Sequence, residues 1–218
     1  MGDEPSTTRR PGRPRADSSA VPAERDVLQR GLEAFATLGY DRASARELAR
    51  RLGVGPTFIN DRYGSKAAYW RAVVDAALGA QLRDMAPPAP GSDDADVVRQ
   101  FVMEFYRVSI DEPYLAMLMT DESARETERL DYLYERYIEP TLALVLPSIE
   151  RLMASGGMTR VPTDIVFFAI IAPVSGLVRD PLARRLGSPE RMQHADRLAR
   201  AETLAKLVVD GLLAPKHQ

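Results

Sequence analysis

Residues 46–66, RELARRLGVGPTFINDRYGSK, constrain the fold more than any other stretch of the chain. The segment starts as an amphipathic helix, is cut at Leu52-Gly53-Val54, and restarts at Gly55-Pro56 as a helix of barely two turns. An isolated helix needs roughly 12–15 residues to persist in water. The restarted helix therefore holds only if longer neighbours pack on it, and its polar residues Thr57, Asn60, Asp61 and Arg62 are carried rather than supporting.

The flanking sequence supplies those neighbours. Val27, Leu28, Gly31, Leu32, Phe35 and Leu38 recur at helical spacing and give a first helix with one apolar stripe. Gly39 follows it, where a left-handed terminal residue is needed. Ser44-Ala45-Arg46-Glu47 matches a capping box, in which hydroxyl and carboxylate each satisfy a free backbone N–H. Gly55 and Pro56 fit the N-cap and first position of the short helix. Ser65 caps a fourth helix carrying Tyr69, Trp70, Val73, Val74, Ala77 and Leu78. A proline-rich break at 85–92 separates this unit from long helical patterns near 93–111, 113–126, 128–154, 163–179 and 188–213. Pro140 and Pro147 are expected to kink or interrupt the third of these. With no period-2 pattern and no repeat of 20–50 residues, the fold class is all-α. The domains are read as a basic arm over 1–21, a helix-turn-helix domain over 22–82, and a helical domain over 83–218.

Composition narrows the function. A hydrophobic content of 45% can supply a core, and the absence of cysteine excludes disulfides, thiolate metal sites and a cysteine nucleophile. No apolar run approaches the ~20 residues that span a bilayer, and the charged N-terminus lacks a signal-peptide core, so a cytoplasmic protein is expected. His194 and His217 are the only histidines, which is too few for a histidine metal cluster and gives no convincing histidine-based triad. Asp121-Glu122 reads as a solvated face rather than an acid–base pair. No enzyme, metal or cofactor is expected.

Charge divides unevenly. Residues 1–80 carry 13 Lys and Arg against 10 Asp and Glu, whereas the remainder carries 16 against 21. A polyanion would dock at the front. Two short helices joined by a glycine turn and braced on both sides form a helix-turn-helix, whose second helix can enter a DNA major groove. Ile59 and Tyr63 would face inward with Leu48 and Leu52, leaving Pro56, Thr57, Asn60 and Arg62 outside. Ser44, Arg46 and the free N–H groups of the preceding helix make a phosphate seat, and Lys66 is placed to reach a second phosphate. In the arm, RRPGRPR contains the G-R-P core of an AT-hook: Arg10, Arg13 and Arg15 either lie in a narrow minor groove or form a solvated tail.

The run from Val27 to Val74, with an A-x-x-L-G-Y-like end to the first helix, S-x-x-E-L-A-x-x-L-G-V, and then Y-G-S-K, resembles the DNA-binding domain of TetR/AcrR-family transcriptional repressors. The resemblance covers about 22–82. It implies a homodimer, a C-terminal ligand-binding and dimerisation domain, and release of a palindromic operator by a small-molecule effector. The family's DNA-contacting positions carry over to Ser44, Arg46, Pro56, Thr57, Phe58, Asn60, Arg62 and Lys66. This chain departs from the pattern in having Asn60 where most members have a phosphate-binding tyrosine, followed by Asp61, and in having Phe58 where threonine is common. The alternative, from another class, is a helical ligand-binding or adaptor protein with a vestigial DNA domain.

Beyond residue 83, Met103, Tyr106, Arg107, Tyr114, Met117, Leu118, Tyr132, Tyr137 and Phe167 combine soft apolar surface with hydroxyls, as an adaptable pocket for a lipophilic or aromatic effector would. Each is also a fitting core residue. For the dimer, the small residues Ala169, Ala172, Ser175 and Gly176 allow close helix approach. Leu198, Ala201, Ala205, Val208 and Leu212 form a heptad-like seam in the final helix, suited either to a twin subunit or to the chain's own core.

Overall fold

Apolar residues three and four apart become buried stripes along the whole chain, and every regular element of the described residues is helical. The computed structural model describes residues 22–84, 88–177 and 180–213. The arm arginines Arg10, Arg13 and Arg15 lie outside them. The first unit comprises α1 (Glu24–Leu38), α2 (Ala45–Leu52), α3 (Phe58–Tyr63) and α4 (Lys66–Asp84). It is followed by α5 (Asp94–Asp111), α6 (Pro113–Glu122) and α7 (Glu128–Leu133), then a π-helical turn, Tyr134–Ile138, running directly into α8 (Glu139–Ser155). The remainder is α9 (Thr163–Ile171), α10 (Val174–Leu177), α11 (Asp180–Arg185) and α12 (His194–Leu212).

Two cores hold these helices. The first gathers Val27, Leu32 and Phe35 of α1, Leu48 and Leu52 of α2, Ile59 of α3, and Tyr69, Trp70, Val73 and Val74 of α4. It also takes in Leu115 and Leu118 of α6, Leu133 of α7 and Tyr137 of the π turn, so it crosses the expected domain boundary at residue 82. Helix α1 is thereby packed between α4 and α6, and whatever moves α6 or α7 is in contact with the frame of the short helices. The second core joins Val98, Val102 and Tyr106 of α5 to Val145 and Ile149 of α8, Val166 and Ile170 of α9, and Ala201, Ala205 and Val209 of α12.

Proline chemistry sets two breaks in the later helices. Pro140 has no N–H to give to Arg136, and its ring would crowd that carbonyl. The chain opens by one residue per turn, with the Glu139 N–H reaching Tyr134 O, and the helix continues as α8. Pro147 is accommodated inside α8. Pro173 ends α9 at Ile171, so the single helix expected over 163–179 is two pieces.

That last helix also corrects the expected dimer seam. Ala201 is 1% exposed and Ala205 0%, sealed in the chain's own core against α5. Leu198, Val208 and Leu212 pack partly into the same core. A side chain already desolvated within one subunit has no surface left to bury against another. On α9 and α12 the large apolar residues left outside are Ile165 (53% exposed), Phe168 (57%) and Leu207 (66%). Ala169 is half-buried, while Ala172 and Gly176 are exposed beside that outer face.

Candidate nucleic-acid interface

The short helix α3 stands where α2 and α4 put it. Ser44 Oγ accepts from Glu47 N at 3.2 Å and starts α2. The reciprocal half of the expected capping box is absent: Glu47 turns its carboxylate to Arg50, at 2.6 and 2.8 Å, and to Arg51, at 3.1 Å. Those guanidinium bonds, Arg50 first and then Arg51, hold the Glu47 pKa down at about 2, so it stays ionised. The Ser44 N–H instead donates to Arg42 O. Gly53 ends α2 at φ 72°, where a Cβ would be strained, and its N–H closes on the Ala49 and Arg50 carbonyls. Arg30 of α1 donates to Leu52 O at 3.3 Å, and Arg51 donates to Thr37 Oγ1 at 3.2 Å, tying α2 to α1 at two points.

Pro56 and Thr57 occupy a turn closed by Phe58 N donating to Gly55 O at 3.1 Å, so α3 begins two residues later than Pro56 would start it. Ile59 is fully buried beneath it with Leu48 and Leu52. Side chains of this size each contribute about 1.5–3 kcal/mol when buried, which is the anchorage α3 cannot make for itself. Tyr63 is half-buried, with its ring 4.7 Å from that of Tyr69. Outside stand Pro56, Thr57, Asn60, Asp61 and Arg62, together with Ser44 and Arg46 at the start of α2. Six of these, all but Asp61, are among the eight positions that the sequence assigned to DNA contact; the other two are placed differently.

Phe58 is half-buried against the first core rather than free to press on a base. Lys66 is turned inward. Its Nζ donates to Tyr40 O at 3.0 Å and lies 4.0 Å from the Tyr40 ring centroid, so the loop carbonyl and the aromatic face replace the phosphate expected there. Arg62 remains exposed but leans on Glu24 of α1 at 3.3 Å. An exposed pair of this kind is worth only about 0–1 kcal/mol, so the guanidinium is available to a stronger anion. No ion pair or hydrogen bond of Arg46 occurs among the described residues.

The expected pocket residues do not converge. Tyr106 is buried in the second core, donating to Ile170 O at 2.9 Å, and burial pushes its pKa up to about 12. Met103 packs partly on that core, and Arg107 is exposed, paired with Glu104 and Asp111. Met117 is half-buried on α6, and Phe167 is half-buried with its ring 5.5 Å from Phe168. Tyr114, Tyr132 and Tyr137 belong instead to the junction with the first unit. Tyr114 Oη donates to Glu33 at 3.4 Å, and Tyr132 and Tyr137 both donate to Asp75 of α4, at 2.6 and 2.5 Å. Burial holds both tyrosine pKa values above the ordinary range, so the hydroxyls stay protonated and the fork onto Asp75 persists. Sequence reasoning missed Asp75 because one carboxylate in an amphipathic helix carries no signal of what lies opposite.

No group of three or more His, Asp or Glu among the described residues could hold a metal ion. No helix of the described residues is long and apolar enough to cross a membrane.

The chain matches the family described as bacterial regulatory proteins, tetR family, over residues 27–73. No curated protein matches it in sequence. Solved structures share its fold along most of its length. A linker-substituted mutant of HlyIIR, a hemolysin II transcriptional regulator, is 14% identical, covering 88% of this chain and 97% of that one at a TM-score of 0.63. A TetR family transcription regulator from Marinobacter aquaeolei VT8 is 18% identical, covering 88% and 95% at 0.61. FadR from Bacillus subtilis, a transcriptional regulator solved with stearoyl-CoA, is 13% identical, covering 87% and 100% at 0.57.

Proposed function

Since residues 27–73 are a tetR-family regulatory domain, we propose that this chain is a sequence-specific DNA-binding transcriptional regulator, acting as a dimeric repressor that a small lipophilic or aromatic effector releases from a palindromic operator. The observation that carries the reading is α3 itself. Six residues long, it is pinned from below by the fully buried Ile59 and presents Thr57, Asn60 and Asp61 to solvent.

In this reading Thr57 and Asn60 read base edges. An asparagine amide can both donate to and accept from adenine in the major groove. Ser44, Arg46 and the first N–H groups of α2 hold one phosphate, and Pro56 sets the approach of the backbone. Asp61 accepts from a cytosine amino group or repels a phosphate, which makes it a discriminator. Arg62 leaves Glu24 for the DNA backbone.

The dimer forms through the outer faces of α9 and α12. Ile165 and Phe168 on α9, with Ala172 just past its end, make one stripe, and Thr203, Leu207 and Gly211 make another on α12, all exposed in the single chain. Two-fold pairing then places two copies of α3 about one DNA turn, ~34–36 Å, or a multiple apart.

An effector acts on the frame rather than on α3 directly. α6 and α7 share the first core with α1, and Asp75 joins α4 to the π turn. A ligand that displaces α7 or the π turn would tilt α4 and with it α3. The stearoyl-CoA held by the FadR structure supports an apolar effector. Mobility shift of DNA taken from upstream of the protein's own gene, with excess unrelated duplex as competitor, tests the reading. A retarded band that survives competitor supports it, and none at any protein concentration up to micromolar overturns it.

A further inference from the structure

The loop between α1 and α2 is gripped from outside its own unit. Tyr40, half-buried in that loop, meets two cations: Lys66 Nζ of α4 and the Arg129 guanidinium of α7 each lie 4.0 Å from its ring centroid. The next residue, Asp41, accepts from Arg125 at 3.1 Å. Onward from there the chain has no slack. Ala43 N donates to the Gly39 and Tyr40 carbonyls at 3.2 Å, Ala43 is 0% exposed, and Ser44 already caps α2. Whatever shifts Tyr40 therefore shifts the start of α2.

The grip has a fixed end and a soft end. Glu122 closes α6 and, unlike the solvated carboxylate that the sequence predicts, is 2% exposed. Arg129 Nε donates to both of its oxygens at 3.0 Å. A desolvated carboxylate stripped of its cation is strongly disfavoured, so Arg129 is held by α6 and is not free to follow the loop. Arg125 and Asp41 are both exposed, and a pair of that kind holds little. The attraction of the Tyr40 ring for the largely buried Arg129 guanidinium is the stronger hold. The buried pair is the anchor, and the loop is what it anchors.

We propose that Glu122 and Arg129 form a clamp that positions the α1–α2 loop through Tyr40, so that Ser44, Arg46 and the free N–H groups of α2 are preset for a phosphate. A preset site forfeits less on binding than one that must first be ordered. The role rests on the reading that the start of α2 meets DNA. It is a second route from the later helices into the first unit: the Asp75 fork acts on α4, whereas the clamp acts on α2. Glu122, Arg129 and Tyr40 are positioning residues and do not themselves touch DNA.

Replacing a buried ion pair by apolar residues often leaves stability unchanged, which separates positioning from mere support. Glu122→Leu combined with Arg129→Leu should melt near the native temperature. Hydrogen exchange of the full chain should nevertheless show the amides of residues 43–49 exchanging about tenfold faster, the loss of one desolvated cation–ring contact. The amides of 98–109, in the second core, should be unchanged. Tyr40→Leu should reproduce this pattern and Tyr40→Phe, which keeps the ring, should not. On DNA selected from a random pool, the double variant should bind about tenfold more weakly at every salt concentration, with the salt slope and the preferred bases unchanged. Exchange needs no DNA, so a native chain that binds none would end the DNA reading while exchange still decides the clamp. Native exchange at 43–49 in the folded double variant, or in Tyr40→Leu should the double variant fail to fold, overturns the proposal.

Discussion

The Tyr69 hydroxyl of α4 donates to the Val27 carbonyl of α1 at 2.6 Å, and it passes over Gly31 to get there. A Cβ at residue 31 would sit 2.2 Å from that oxygen and 2.7 Å from both Tyr69 Cζ and Val73 Cγ2. Desolvation keeps the Tyr69 pKa well above the ordinary tyrosine range, so the donor does not ionise. The contact fixes how closely α1 and α4 approach, and hence the slot into which α2 and α3 fit. Gly31→Ala is expected to destabilise by about 2 kcal/mol or more through overpacking, whereas Tyr69→Phe loses one hydrogen bond worth about 1 kcal/mol. At about 2–4 °C per kcal/mol for a chain of this size, thermal melts should rank the glycine variant below the phenylalanine variant. The opposite order would show that the close approach is not what holds the pair.

Glu47 supplies a pH dependence with a definite sign. Its carboxylate is held at about 2 by Arg50 and Arg51, below the ordinary value near 4.5. A depressed folded-state pKa stabilises above the unfolded value and loses that contribution as pH falls through the folded one. The difference in melting temperature between the native chain and Glu47→Gln should be constant near neutrality, shrink below about pH 4.5 and vanish near about pH 2. A difference independent of pH across that window would mean that the bonds to the two arginines add nothing.

Lys66 and Arg46 separate two kinds of cation. Lys66 is spent on Tyr40, while Arg46 is exposed at the start of α2. Removing a phosphate contact lowers the salt slope of DNA binding by about one. Arg46→Ala should do so with little change in melting temperature. Lys66→Ala should lower the melting temperature and weaken binding at every salt concentration while leaving the slope near its native value. Equal slope losses in both would return Lys66 to the DNA.

The proposed assembly rests on the outer apolar stripe. Phe168→Asp places a charge on the most exposed apolar residue of α9 and disturbs no core contact of Val166 or Ile170. Sedimentation is expected to show the native chain as a dimer and the variant as a monomer at the same concentration. A variant that remains dimeric would place the interface elsewhere.

Much of this was legible in the sequence, and the parts that were not share a cause. The α1–α4 unit could be read because its signals are local: a stripe at 3.6 spacing, Ser44 and Ser65 as caps, and Gly53 at the turn. Local signals also placed Thr57 and Asn60 outside. They do not say which of two faces of a helix meets its own chain. In α12 the heptad seam of Ala201 and Ala205 turned inward, and the sparser Leu207 face was left out. Lys66 looked free because the carbonyl that holds it is 26 residues away in the chain. The expected pocket residues are dispersed for the same reason. Tyrosines 132 and 137 gain their meaning from Asp75, and nothing in composition or spacing points across from one helix to another.

Selection of bound sequences from a pool of random duplexes tests the central claim most directly, because it assumes no operator. The account predicts recovery of an inverted repeat with half-sites about one turn, or a multiple, apart. It further predicts that Thr57→Ala together with Asn60→Ala changes the recovered bases, each lost contact costing about 1–3 kcal/mol of discrimination. A pool that stays random, or a repeat identical for the native chain and that double variant, would contradict it.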